Sequence, residues 1–242
     1  MKTAIVTGGA KRIGAELVRA LATDGWHMLI HYHNSRAEAE ALAVETGGSA
    51  VCADLADPGA AEAIIGALEG LPPARLLVNN AAVFAHDAIG DFTPESWAAH
   101  LDVNLRAPAF LSRAFAAHAL EGLIVNLLDA KLASPNPDFF SYTISKIGFA
   151  GLTELCARAF APNIRVNAIA PSVTMVSGPQ SRANFDKVHA MNALEHGVTV
   201  EEIVAALRLI IASPSMTGHT ILLDGGQRFL SLPRDVQFLE PK

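Results

Sequence analysis

Short apolar runs alternate with longer amphipathic stretches along the whole chain. The runs are almost continuously hydrophobic, which is typical of strands that are covered on both faces of a sheet. Because strands alternate with helices, we predict an α/β fold with a doubly wound parallel sheet and helices on both faces. The predicted strands span 2–7, 27–32, 50–53, 75–79, 122–128, 164–170 and 219–223. The predicted helices span 12–24, 36–46, 58–69, 94–104, 105–119, 140–160 and 200–212.

Composition supports one globular domain over residues 1–242, with an irregular segment at 171–199 and a tail at 227–242. Hydrophobic residues make up 51% of the chain, and no linker or repeat divides it. The net charge of −6 argues against nucleic acid as a partner, and no apolar run is long enough to cross a membrane. Two cysteines without a CxxC pair exclude a disulfide scaffold, so we expect a cytoplasmic protein.

A glycine-rich turn lies between the first predicted strand and the first predicted helix. Glycines let the backbone approach a pyrophosphate closely, and the helix start offers free N–H groups to that anion. The alternative is a tight strand-to-helix turn that binds nothing. The residues that we assign to cofactor binding here are Gly8, Lys11, Arg12, Ile13 and Gly14.

Residues 7–14 resemble the TGxxxGxG fingerprint of the short-chain dehydrogenase/reductase family, whose members have a Rossmann-type fold and bind nicotinamide cofactors. This sequence departs from the fingerprint at Arg12, which replaces the middle glycine and follows Lys11. That variant is similar to the one in the pteridine reductases of the family. Both cations would attract phosphates, and the Arg12 guanidinium could stack on a flat ring; solvated side chains are the alternative.

The end of the second predicted strand indicates the cofactor. An NAD site usually has an acidic residue here for the ribose 2′-hydroxyl, and 31–36 contains none. Imidazole, amide and hydroxyl donors suit a 2′-phosphate instead, so NADPH is expected. His31 and His33 also form an H-x-H pair, but without a visible third ligand we predict no metal site. The cofactor residues assigned here are His33, Asn34 and Ser35, and an ordinary strand end with exposed polar residues is the alternative. The family's motifs add Asp54, Leu55, Asn80 and Ala81, although Asp54 could equally cap the next helix.

Tyr142 and Lys146 are four residues apart, which places both side chains on one face of the long predicted helix. A nearby ammonium favours the phenolate, so we expect Lys146 to lower the pKa of Tyr142 and make it a general acid. The family resemblance implies that Lys146 also holds the cofactor ribose, so both residues are assigned to the cofactor as well. It further implies that Asn104 supports a proton relay through water.

Asp129 stands where the family has a catalytic serine, thirteen residues before Tyr142. Serine donates a hydrogen bond to a developing oxyanion, whereas an ionised aspartate only accepts one. Reduction of a plain ketone is therefore in doubt unless Asp129 is protonated, and a substrate with N–H groups fits better. Pteridine reductases carry Asp here; Ser134 is a reserve candidate for the serine.

Phe84 aligns with an aromatic residue that holds the pterin against the nicotinamide in pteridine reductases; a core phenylalanine is the alternative. Pro171 and Ser172 begin the family's substrate loop and are assigned to the cofactor. In the tail, Arg228, Arg234 or Phe238 either reaches a neighbouring subunit's pocket or lies on the surface.

The resemblance implies an NADPH-dependent oxidoreductase that reduces a C=N bond of a pterin or dihydrofolate-like substrate. The catalytic residues predicted are Asp129, Tyr142, Lys146 and Asn104, and the substrate-binding residues are Arg12, Phe84, Asp129 and Tyr142. A carbonyl or 3-oxoacyl-thioester reductase is the first alternative, and a non-catalytic protein that binds NADPH and a pterin is the second. Small residues on the long helix, among them Gly148, Ala150 and Gly151, fit a homo-oligomer, either a dimer or a homotetramer.

Overall fold

A parallel β-sheet forms the centre of the protein in this computed structural model, which describes residues 1–176 and 180–239. Among the described residues it has seven strands in the order β3-β2-β1-β4-β5-β6-β7, and every neighbouring pair is parallel. This confirms the predicted doubly wound α/β fold. The strands are β1 (Thr3–Val6), β2 (His27–Tyr32), β3 (Ser49–Cys52), β4 (Ala74–Asn79), β5 (Gly122–Leu127), β6 (Ile164–Pro171) and β7 (Thr220–Leu223).

Helices cover both faces of the sheet. They are α1 (Arg12–Thr23), α2 (Arg36–Thr46), α3 (Ala60–Gly66), α4 (Pro94–Leu101), α5 (Ala107–Ala119), α6 (Phe140–Phe160), α7 (Arg182–His189) and α8 (Val200–Ala212). Shorter helical turns span Asp102–Arg106, Ala130–Ala133, Gln227–Leu230 and Val236–Phe238. None of the helices in the described part of the chain has the length and apolar character needed to cross a membrane.

Successive strand residues point to opposite faces, so each strand contributes to two cores. Val6 and Val78 pack with α1 and α8 on one face, while Ile5 and Leu77 pack with α3 and α5 on the other. All four side chains are fully buried. The near-continuous apolar runs in the sequence therefore follow from burial on both sides.

The order of the strands places the candidate site. Chain connections run outward in opposite directions from β1 and β4, which lie side by side. In open sheets of this kind the crevice at the carboxyl ends of such a strand pair binds ligands. The glycine-rich turn follows β1 directly, and Asn80 follows β4.

The sequence analysis predicted an irregular segment over 171–199, but part of this segment is helical. It contains α7, whose start is capped by the Ser181 side chain accepting from the Asn184 N–H at 3.1 Å. Phe185 and Val188 are buried beneath it. Residues 177–179 of this segment, and 240–242 of the tail, lie outside the described residues.

Candidate active site

A cavity of about 550 Å³ opens at the carboxyl ends of the central strands. Its walls combine the glycine-rich turn, the start of α6, the segment after β6 and the C-terminal tail. The predicted site residues that line it are Gly8, Lys11, Arg12, Ile13, Gly14, Asn80, Ala81, Phe84, Asp129, Tyr142, Lys146, Pro171 and Ser172. Residues more than 160 positions apart in sequence therefore meet in one place.

The glycine-rich turn is shaped to receive a diphosphate. Gly8 has a φ of +58°, a backbone conformation that side chains disfavour. A Cβ on Gly14 would lie 2.2 Å from the Gly8 carbonyl oxygen, so only glycine fits there. No side chain caps the start of α1, which leaves its positive end free for an anion. The turn thus fits the phosphates of a nicotinamide dinucleotide.

Arg12 also adopts the left-handed conformation, with φ at +56°, at the position where the family fingerprint has glycine. For a residue other than glycine this costs roughly 1–2 kcal/mol. Its guanidinium donates to the Val176 carbonyl oxygen at 2.5 Å and so connects the turn to the segment after β6. Lys11 forms an ion pair with Glu38 at 2.7 Å. This pair neutralises part of the positive charge that the sequence analysis assigned to phosphate binding.

His31 is buried and belongs to the scaffold of the turn. Its Nδ1 accepts from the Gly8 N–H at 3.1 Å, and Nε2 lies 3.0 Å from the Ala53 carbonyl oxygen. Burial lowers the pKa of His31, which keeps the ring neutral and able to accept. Both ring nitrogens are thus engaged, and within 1–176 and 180–239 no cluster of His, Cys, Asp or Glu is arranged to hold a metal.

The residues predicted for the adenosine end lie beside the cavity rather than in its wall. His33 and Asn34 are exposed after β2, and the His33 ring is 3.8 Å from the Asp54 carboxylate. Ser35 precedes the first residue of α2. Leu55 does not reach this surface, because its side chain is buried in the core on the α3 side of the sheet. Its assignment to cofactor binding is therefore not supported by the position of its side chain.

Tyr142 and Asp129 are in direct contact. The Tyr142 hydroxyl donates to Asp129 Oδ2 at 2.7 Å, and the Lys131 N–H donates to Oδ1 at 2.8 Å. Lys146 lies one turn along α6, where its Nζ donates to the Leu127 carbonyl oxygen at 2.6 Å. Asp129 is half-buried, while Tyr142 and Lys146 are buried.

The expectation that Lys146 lowers the pKa of Tyr142 is wrong. Burial raises this pKa well above its ordinary value of 10.0, and the neighbouring Asp129 carboxylate raises it further. Lys146 contributes little because its ammonium is directed to Leu127, and burial lowers its own pKa to about 8. Tyr142 is therefore a neutral phenol that holds its proton. Burial also raises the pKa of Asp129, against the opposing effect of its hydrogen bonds.

Asn104 does not form part of the described cavity wall. It lies in the π-helical turn between α4 and α5 and is fully buried. Its Oδ1 accepts from the Val83 N–H at 2.7 Å, and its Nδ2 donates to the Val83 carbonyl and to Ser145 Oγ at 2.9 and 3.0 Å. In this geometry the side chain fixes the backbone beside Phe84 and the catalytic helix. Its part in a proton relay through water stays a prediction.

A second buried network holds α6 on the sheet. Asn79 Nδ2 donates to Asn126 Oδ1, and Asn126 Nδ2 donates to Thr153 Oγ1, both at 2.9 Å. The chain of hydrogen bonds runs from β4 through β5 to α6. Tyr142 and Lys146 are thereby fixed relative to the ends of the strands.

Phe84 lines the cavity beside Tyr142. Its ring stacks on Phe139 with 4.3 Å between centroids, and it makes a T-shaped contact with the Tyr142 ring at 4.7 Å between centroids. Ser134, the reserve candidate for the family's serine, also lines the cavity. Because Phe84 is only partly buried, it leaves surface for a flat ligand.

The C-terminal tail folds over the cavity of its own chain. Arg228 pairs with Asp224 at 2.7 Å, Arg234 pairs with Asp138 at 2.7 Å, and the Phe238 ring lies 5.7 Å from that of Phe139. These contacts hold the tail against its own chain, and a role in a neighbouring subunit's pocket stays a prediction. The tail and the turn after β5 add residues that the sequence analysis did not assign, among them Lys131, Gln227, Asp235 and Gln237. Their positions depend on tertiary contacts that no local pattern signals.

Comparison with known proteins defines the family. A model of the short-chain dehydrogenases, described as Enoyl-(Acyl carrier protein) reductase, matches residues 8–228. The chain belongs to the short-chain dehydrogenase/reductase family. Among curated relatives, the probable galactose dehydrogenase GalD of Rhizobium meliloti (strain 1021) is 33% identical over 239 residues, covering 92% of this chain and 93% of that protein. L-xylulose reductase of Mesocricetus auratus is 32% identical, covering 93% and 96%.

A solved structure adds a different relative. FolM Alternative dihydrofolate reductase 1 from Brucella canis, complexed with NADP, is 37% identical, covers 94% of each chain and superposes with a TM-score of 0.87. Short-chain dehydrogenases/reductases use nicotinamide cofactors, and the glycine-rich turn described above fits one. The prediction of such a cofactor is therefore confirmed.

Proposed function

We propose that this protein is an NADPH-dependent reductase of a C=N bond in a pterin or dihydrofolate-like substrate. The observation that carries the proposal is the hydrogen bond between Tyr142 and Asp129, at the position where the family has a serine. A carboxylate here accepts from substrate N–H groups, which pterins have and simple ketones lack. The similarity to FolM alternative dihydrofolate reductase supports the same substrate class.

The chain's own groups fit NADPH. The α1 start with Gly8 and Gly14 would hold the diphosphate, and Lys146 would hold the nicotinamide ribose. His33, Asn34 and Ser35 would meet the 2′-phosphate at the ends of β2 and β3. When bound, the cofactor supplies a hydride from its nicotinamide ring.

Tyr142 is proposed as the proton donor to the ring nitrogen of the substrate. Its raised pKa keeps the proton on the phenol until a basic atom receives it, and the Asp129 carboxylate orients the hydroxyl. Phe84 and the Arg12 guanidinium both line the cavity, so both would contact a flat ring bound there. To do so, Arg12 would exchange its bond to Val176 for the ligand.

The test is the substitution Tyr142→Phe, which removes the transferable proton and keeps the ring that contacts Phe84. NADPH oxidation with 7,8-dihydrobiopterin should fall by at least about 10²-fold, the usual contribution of general acid catalysis. NADPH affinity, measured by cofactor fluorescence, should stay within about threefold. Full activity in this variant would end the proposal.

A carbonyl or sugar reductase is the second candidate, and the raised pKa of Asp129 favours it. A protonated Asp129 could donate to a carbonyl oxygen as a serine does. The curated names of the relatives, a galactose dehydrogenase and an L-xylulose reductase, point the same way. A protein that only binds would not need the buried Tyr142 and Lys146 pair, so we place that alternative last.

We also propose a homo-oligomer formed through the outer faces of α5 and α6. Ile147 and Leu155 are exposed one above the other on α6, at 48% and 66%, and Phe110 is exposed on α5. Gly151 lies between the two α6 residues with open space above it, which permits a close approach of helices. Sedimentation of the wild type and of Leu155→Glu would test this, because a monomeric wild type would refute it.

A further inference from the structure

The cavity contains a partly buried ion pair that the proposed reaction does not use. It joins Lys131, in the helical turn after β5, to Asp235 in the C-terminal tail. Both residues line the cavity together with Asp129 and Tyr142. Their side chains are only 9% and 15% exposed, so the two charges lie away from bulk solvent.

Lys131 is held in place from several sides. Its Nζ donates to the Asp138 carbonyl oxygen and lies 3.4 Å from Asp235 Oδ2 and 5.2 Å from the centre of the Phe139 ring. An ammonium has three protons to donate. The Asp235 contact is long for a charge-assisted hydrogen bond, so Lys131 retains the capacity to bind a further acceptor.

Asp235 is also held in place by hydrogen bonds. Its backbone N–H donates to Asp138 Oδ2 at 2.7 Å, and its own Oδ1 accepts from the Gln237 N–H at 3.1 Å. Arg234, the preceding residue, pairs with the same Asp138 carboxylate. Oδ1 therefore caps the last helical turn, while Oδ2 faces Lys131, and Asp235 is part of the cavity lining.

From this geometry we propose that Lys131 and Asp235 form a recognition site for a cyclic amide edge, a ring N–H beside a ring C=O. The carboxylate would accept from the N–H and the ammonium would donate to the carbonyl. Neighbouring charges of opposite sign suit a neutral ligand with adjacent donor and acceptor atoms better than a free anion or cation. The inference rests on the proposed function and adds the residues that select the pterin ring.

The electrostatics of the cavity are consistent with this arrangement. The Asp235 carboxylate contributes to the raised pKa values of Asp129 and Tyr142, so the pair lies close to the reacting groups. Burial lowers the pKa of Lys131, while Asp235, Asp129 and Asp138 oppose that effect. A ligand that bridges the pair would thus also be adjacent to the proposed proton donor.

The test is equilibrium binding by calorimetry with two flat probes. Oxidised biopterin carries the cyclic amide edge, and 9,10-phenanthrenequinone has carbonyls without N–H. Asp235→Asn keeps the Oδ1 acceptor that caps the helical turn but puts an NH₂ group where Oδ2 accepts. We expect biopterin to bind about tenfold or more weakly, which corresponds to loss of a hydrogen bond to a charged group, and the quinone to bind within about twofold of the wild type.

Lys131→Met is a second variant that keeps the apolar stem, and it should weaken biopterin binding selectively as well. The matched control is Asp24→Asn, at the far end of α1, where the carboxylate pairs with Arg208. Equal weakening of both probes, unchanged biopterin binding in both variants, or no biopterin binding to the wild type would each overturn the inference. Turnover is measured separately: selective binding without reduction of dihydrobiopterin would refute the proposed function and leave this site standing.

Discussion

Replacing Asp129 by serine should change which substrate the protein reduces. The carboxylate accepts from Tyr142 through one oxygen and from the Lys131 N–H through the other. Serine has one oxygen on a side chain that is one atom shorter, so it cannot keep both contacts. It gains an O–H that can donate to a carbonyl oxygen.

The magnitude follows from these contacts. A substrate N–H that donates to the Asp129 carboxylate loses a hydrogen bond to a charged group, worth about 1.5–3 kcal/mol. The kcat/KM for 7,8-dihydrobiopterin should therefore fall about 10- to 150-fold in Asp129→Ser. A donor to a developing oxyanion is worth about 2.7–4 kcal/mol, so kcat/KM for a ketone such as acetoacetyl thioester should rise at least about tenfold.

The assay is NADPH oxidation followed by absorbance with each substrate. The matched control is Asp24→Ser on the far surface, which should alter neither rate by more than about twofold. An Asp129→Ser variant that reduces dihydrobiopterin as well as the wild type does would refute the role given to the carboxylate. Loss of both activities with an unchanged melting temperature would refute the gain expected for ketones.

Three further predictions concern the scaffold. Gly14→Ala should weaken NADPH binding at least about tenfold, since the alanine Cβ would lie 2.2 Å from the Gly8 carbonyl oxygen. The control is Gly66→Ala, which has open space around it and should bind NADPH as the wild type does. Equal NADPH affinities of the two variants would contradict this prediction. Arg12→Gly should have a free energy of unfolding in urea about 1 kcal/mol higher than that of Arg12→Ala. Both variants lose the contact with Val176, but only the alanine variant keeps the backbone strain at φ +56°. Equal stabilities of the two variants would contradict this prediction. In the folded protein, burial lowers the pKa of Lys146 from its ordinary 10.5 to about 8. Burial of the charged ammonium therefore destabilises the fold by about 3 kcal/mol below pH 8, and this cost disappears as the pH rises to 10.5. The wild type should thus gain stability relative to Lys146→Met between pH 8 and 10.5, and a constant difference between the two would contradict this.

Features that depend on local pattern were predictable from the sequence. The apolar runs predicted all the described strands, because a sheet buried on both faces needs continuous hydrophobic residues. The spacing of Tyr142 and Lys146 predicted their common helix face, since residues four apart on a helix are neighbours. The tight turn after β1 was predictable because its glycines adopt backbone conformations, such as the positive φ of Gly8, that other residues adopt less easily.

Features that depend on distant contacts were not predictable. The pKa of Tyr142 depends on burial and on Asp129, whose distance the spacing does not reveal. The tail is positioned by the pair between Arg234 and Asp138, which are 96 residues apart. Short helix α7 is stabilised by burial of its own Phe185 and Val188, which depends on tertiary contacts that the local pattern does not reveal.

One measurement tests the central claim most directly: initial rates with 7,8-dihydrobiopterin, L-xylulose and acetoacetyl thioester, each with NADPH and with NADH. The account predicts the highest kcat/KM for the dihydropterin with NADPH, because Asp129 accepts from its N–H groups and Tyr142 supplies the proton. Turnover of the sugar or the thioester, with the dihydropterin unreacted, would contradict it and would mean that Asp129 acts as a protonated donor in carbonyl reduction.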